Sequence, residues 1–139
     1  MHLLGAAFWA TFLQDVLFDG ALWWFHYNLP FSLTGDIRKD SRLAALVYNG
    51  LVQAPLATVA AMAPRHWGWP LAGALFLLFM GIEVTGLHTG LAVYNHWNLG
   101  CAALNYGITL VAPMLYARWI ERVTGPRTPG PIEPWQPPV

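Results

Sequence analysis

Charge is scarce in this sequence. Asp, Glu, Lys and Arg make up 10% of its 139 residues, where a soluble domain carries about 25%, so most of the surface must face something other than water. Seven basic and seven acidic side chains cancel to a net charge of zero, and the densest basic group is Arg38, Lys39 and Arg42. This excludes nucleic acid as a partner, because no electrostatic footprint for phosphate exists. Cysteine is rarer still: Cys101 stands alone, which rules out an internal disulfide and a thiolate-rich zinc site. The N-terminus lacks both a basic n-region and a small-residue cleavage site. Its apolar stretch is long enough to cross a bilayer, so a retained helix is expected there.

What is abundant is apolar and aromatic. Hydrophobic residues reach 56%, with eight Trp and a mean hydropathy of +0.43. A helix needs about 20 mostly apolar residues to cross the hydrocarbon core, and the segments 3–26, 43–63, 69–94 and 97–122 qualify. They predict an all-α fold: an integral membrane four-helix bundle, up-down-up-down, over residues 1–123, followed by a Pro-rich extended tail at 124–139. The breaks have turn chemistry: "NLPFSLTGDIRKDSR" holds Pro30 and Gly35, "PRHWGWP" is a tight Pro/Gly turn, and "NHWN" is a polar corner. Trp67, Trp69, Trp97 and Trp119 fall near predicted span ends, as interfacial anchors do. Lys and Arg are split almost evenly between the two sides, so they do not orient the bundle. A bacterial inner membrane and an endoplasmic reticulum fit equally well.

Helical spacing gathers the polar residues into stripes. Asp15, Asp19 and His26 fall at i, i+4 and i+11 of the first segment, and Asn49 and Gln53 at i and i+4 of the second. In the third, Glu83 lies near mid-span, with Gly86, Gly90 and Tyr94 following on its face; in the fourth, Asn98, Cys101, Asn105 and Thr109 form a line. With lipid outside, these stripes must point inward. Asp15, Asp19 and Glu83 have no intramembrane Lys or Arg to neutralise them, so the three acids are expected to share protons.

Plainer roles compete for several of these residues. Asn49, Asn98, Asn105 and Thr109 suit interhelical hydrogen bonding, and Gly86 with Gly90 suits close helix packing. A bis-histidine haem on His26 and His88 would need matched depth and a wide apolar slot. A metal site of Asp15, Asp19, Glu83 and His88 lacks the i, i+3 or i, i+4 carboxylate/His pair of di-iron bundles. No metal and no cofactor is therefore expected. Buried carboxyls have no comfortable structural role, and they mark function by default.

Short stretches resemble the EXPERA-domain family, which includes a sterol double-bond isomerase and the sigma-2 receptor. "YNGLVQAP" (48–55) is similar to that family's second helix, "NYGITLVAP" (105–113) to its last, kinked helix, "LFDG" followed by "NLP" to its first, and "IEVTG" (82–86) to its third. Asn49 stands where the family commonly has Glu, and the isomerase's His and Glu pair is absent. The resemblance implies a kinked bundle with a lipid-accessible pocket, often a dimer. "EVTGLHTG" (83–90) is also similar to a run in carotenoid-modifying membrane proteins.

Both likenesses imply an isoprenoid or sterol-like substrate dissolved in the bilayer. The expected function is a small membrane enzyme of isomerase or cyclase type, in which buried carboxyls transfer protons in double-bond isomerisation, cyclisation or hydration. Asp15, Asp19 and Glu83 are its expected catalytic acids and bases, and Trp23, Asn49, Gln53, His88 and Asn105 are expected to hold the substrate. The expected partners are a lipid-soluble small molecule and the membrane, with a homodimer compatible. The alternative is a non-catalytic accessory subunit of a larger membrane complex, or a lipid-binding receptor.

Overall fold

The structure, a computed structural model, describes Gly5 and residues 24–125. Three helices dominate. α1 covers Ile37–Met62, α2 Arg65–Thr89 and α3 Leu99–Thr124. Among the described residues these three are long and apolar enough to cross a membrane. The segment expected to form a further span, 3–26, lies outside the described residues except for Gly5, which is helical, and its end at 24–26, which is not. Phe25–Tyr27 is instead a short strand, β1, which pairs antiparallel with β2, Ala92–Tyr94, in the register Phe25 to Tyr94 and Tyr27 to Ala92.

The strand pair corrects the expected third span, which ran to residue 94. Gly90 adopts φ 74° and closes α2 with a left-handed cap, a conformation that glycine enters without steric cost. The chain then turns back, and Trp24 O accepts the backbone N–H groups of Asn95, His96 and Trp97 at 2.9, 3.0 and 3.2 Å. Gly86 permits the return: a Cβ there would stand 3.3 Å from the Ala92 Cβ. Its small size therefore serves the strand and not a neighbouring helix, and Gly90 serves as a cap.

α1 begins at Ile37, six residues before the expected 43. Its charges misled the hydropathy reading, because Arg38, Lys39 and Arg42 lie in the first turns of a helix and not in a loop. Asp36 caps that helix, accepting from Arg38 N at 2.9 Å. Asp40 is buried and folds the preceding loop onto the helix: it accepts from Ser32 Oγ (2.6 Å), Leu33 N (3.1 Å), Thr34 N (2.9 Å) and Thr34 Oγ1 (2.7 Å).

Midway, α1 changes pitch. It is α-helical over Ile37–Tyr48, π-helical over Asn49–Gln53 and α-helical again over Ala54–Met62. Pro55, at the start of the last segment, has no N–H to give the carbonyl four residues back. The wider turn absorbs the loss, with Ala54 N reaching Asn49 O instead.

Small residues let the helices close on one another. Ala54, Ala57 and Ala60 of α1 meet Ala72, Leu75 and Phe79 of α2 and Ala102, Tyr106, Leu110 and Met114 of α3. In a bilayer, where no water lies outside, packing and close backbone approach are what hold helices of this kind together. At one end, a Cβ on Gly68 would stand 3.3 Å from Ala60 O and 3.3 Å from Met114 Cε. Asn49, Gln53, Glu83 and Tyr106 meet at the other, so successive helices run antiparallel. Large apolar side chains cover the outside, Leu51 at 74% and Leu77 at 71% exposure among them, a surface suited to lipid.

The loop contacts give a stability ordering. Asp36→Ala is expected to cost about 1 kcal/mol, the value of an N-cap, and Asp40→Ala more than that, because four donors lose a charged acceptor. Thermal unfolding of the two variants in lipid nanodiscs checks the order.

Candidate functional site

The site is built around one carboxyl. Glu83 lies six residues before Thr89, about 9 Å from the end of α2, and it is 7% exposed. The hydroxyl of Tyr94 donates to its Oε1 at 2.5 Å, and that of Tyr106 to its Oε2 at 2.6 Å. Two elements deliver these phenols. Tyr106 comes from the first half of α3, where Phe79 packs at a tilt against its ring with centroids 5.5 Å apart. Tyr94 comes from β2, so it reaches Glu83 by the fold-back at Gly90 and not along a helix face. The Tyr94 phenol is pushed well above the usual tyrosine range, by burial first and then by its bond to Glu83 and the charge there.

Glu83 separates two spaces of opposite character. On one side is an apolar groove of 680 Å³, lined by Tyr27, Leu29, Ala44, Tyr48, Leu77, Leu78, Ile82 and Leu91 among others. On the other is a hollow of 10 Å³ lined by Asn49, Gln53, Asn105 and Tyr106, with Phe25, Tyr27, Trp97 and Ala102. Glu83 and Tyr27 line both. The π turn places Asn49 and Gln53, its first and last residues, in the hollow together.

Of the residues expected from sequence, Glu83, Asn49, Gln53 and Asn105 are thus brought together. His88 is not among the residues lining the groove or the hollow; it is exposed in the last turn of α2. Asp15, Asp19 and Trp23 lie outside the described residues. Asn98 has a plainer task, capping α3 by accepting from Cys101 N at 3.0 Å. Among the described residues, no group of His, Cys, Asp and Glu could hold a metal ion.

Tyr106 was missed as a partner of the acid, and Tyr94, expected on the Glu83 face of a continuing helix, reaches it from a strand. Their signal was compositional: of five tyrosines in the chain, Tyr27, Tyr48, Tyr94 and Tyr106 surround Glu83. A tyrosine amid apolar helices needs somewhere to put its hydroxyl.

The chain matches no family model, no curated protein and no solved structure. Its functional reading rests on this site.

The two phenols bear unequal weight. Tyr106→Phe strips a donor from a buried carboxyl and is expected to cost about 1.5–3 kcal/mol, whereas Tyr94→Phe, at a half-buried position, costs less. Tyr48→Phe removes a buried hydroxyl that lies beside Gln53 and Tyr106 without a hydrogen bond of ordinary geometry and should change the melting temperature least of the three. Thermal unfolding of the three variants side by side measures the contrast.

Proposed function

We propose that this chain is an integral membrane protein that takes a lipid-soluble isoprenoid or sterol-like molecule into the groove and transfers protons on it through Glu83. The observation that carries the reading is a single buried carboxyl lining both an apolar groove of ligand size and a polar hollow behind it. Ligand sites span about 300–1,000 Å³ and are mostly apolar with a few convergent polar groups, and the groove fits that description. The short likenesses to EXPERA-domain proteins support the substrate class. In this proposal the apolar segment up to residue 23 forms a fourth helix, and Asp15 and Asp19 on it serve as further acid or base, with Trp23 facing the substrate.

The chemistry follows from the groups available. A carbon–carbon double bond is a weak base, and protonating it calls for a neutral carboxylic acid kept from water. Glu83, a carboxylate while it accepts both phenolic hydrogens, enters the reaction after taking up a proton; that proton passes to one alkene carbon as the π pair forms the new C–H bond, and the adjacent carbon becomes cationic. The carboxylate left behind and the faces of Tyr27 and Tyr48 stabilise that cation. Loss of a neighbouring C–H proton to a second carboxylate, Asp15 or Asp19, gives the shifted double bond. Capture by a second alkene or by water gives cyclisation or hydration instead.

Incubating the protein in nanodiscs with a panel of isoprenoid and sterol alkenes in D2O tests this, with deuterium read in the recovered lipids by mass spectrometry. Glu83→Gln is expected to lower deuterium incorporation by about 100-fold or more, the scale of a general acid, while the helical circular dichroism is kept. Unchanged incorporation in that variant would remove Glu83 from the mechanism. Tight binding of an alkene with no deuterium uptake in the unaltered protein would replace the enzyme by a lipid-binding receptor.

A further inference from the structure

The hollow behind Glu83 is lined by two amides whose oxygens lack donors. Gln53 Oε1 and Asn105 Oδ1 are fully buried and make no hydrogen bond of ordinary geometry, and neither does the Tyr48 hydroxyl beside Gln53 and Tyr106, which does not line the hollow; Gln53 retains only 2% of its surface. Gln53 and Asn105 line the same 10 Å³ hollow, together with Glu83 and Asn49. A carbonyl oxygen withdrawn from water with nothing in exchange destabilises a fold, and here two of them share one small space. That space matches one guest: about 10–15 Å³ is what a single water molecule requires, along with two to four polar partners.

We propose that the hollow is a binding site for one internal water molecule, which donates its two hydrogens to Gln53 Oε1 and Asn105 Oδ1 and lies against the Glu83 carboxyl. Three features select water over a cation of similar size. Glu83 already receives two phenolic hydrogens, which meets much of its need for positive charge. The unmet groups are amide oxygens, which a neutral donor satisfies. Water also both donates and accepts, so it serves an amide whichever way it is turned, whereas a cation serves oxygen alone. The bound molecule joins α1, α2 and α3 at one point and gives Glu83 a polar contact on the side away from the groove. The inference concerns occupancy of the hollow and stands whether or not Glu83 turns over a substrate.

The sign of a stability change tests it. Gln53→Met and Asn105→Leu replace each acceptor by an apolar side chain of similar size. With water present, each variant loses that oxygen's bond and strips the water of a partner, so each melting temperature in nanodiscs falls by several degrees. In a dry hollow the same changes delete an unsatisfied oxygen, and an unchanged or raised melting temperature in both would overturn the proposal. A melting temperature of the unaltered protein that rises with NaCl but not with KCl or choline chloride at equal ionic strength would also overturn it, by assigning the hollow to sodium. Should a variant fail to fold, the unaltered protein decides: with Asn and Gln side-chain amides labelled with nitrogen-15, a water-to-amide Overhauser cross-peak at Asn105 or Gln53 supports the site, and its absence at both overturns it.

Discussion

A buried carboxyl without a cation organises this molecule. The ion pair of Arg65 and Glu121, at 3.4 Å, is exposed at the far end of the helices. Glu83 must therefore be satisfied by neutral donors, and the fold is arranged to bring two of them. Tyr106 requires α3 to pack with its first half beside the second half of α2. Tyr94 requires the chain to leave α2 at Gly90 and run back as a strand, which in turn requires Gly86 to have no side chain. The strand then needs a partner, and Phe25–Tyr27 supplies it. One interaction thus accounts for the cap, the antiparallel strand pair and the order of the helices.

The polar loop at 28–36 serves the same end by a different route. Asp40 gathers the hydroxyls and N–H groups of Ser32, Leu33 and Thr34, while Ser41 beside it accepts from Tyr27 N at 2.9 Å. The strand that backs Tyr94 is therefore anchored to the first turn of α1. Tyr27, which lines both the groove and the hollow, is held at its backbone by this contact. Charge is spent sparingly in the chain, and two of its carboxylates, Asp36 and Asp40, fix this one corner.

Much of the helical architecture was legible in the sequence, because long apolar runs broken by Pro, Gly and Asn leave few other readings. Three of the four expected spans correspond to helices, with ends displaced by up to six residues. The displacements have physical causes. Charged residues in the first turns of α1 lowered its hydropathy although an N-cap at Asp36 makes them helical, and a left-handed Gly90 stopped α2 short although the apolar run continued. The convergence of Asn49, Gln53, Glu83 and Asn105 was also legible, since periodicity places polar residues on inward faces. Tyr106 was not, because pairing of a phenol with a carboxyl across elements leaves no periodic trace, and Tyr94, which the periodicity put on the face of Glu83, reaches it from a strand and not from a continuing helix. His88, five residues from Glu83 and so off its face of α2, is exposed in the last turn.

The π turn at Asn49–Gln53 makes α1 a shaft with a swivel in it. In a uniform α-helix each residue advances the azimuth by about 100°, so the row of residues four apart drifts steadily round the axis. The wider turn resets that drift, and the upper amides and the lower alanine seam can both look toward α3. Shortening the chain by one residue within this turn would straighten the shaft and twist one half against the other by that same angle. Either the amides or the alanines would then leave the interface. The alignment of the polar chamber with the packing seam is thus held by a count of residues, not by the chemistry of any one of them.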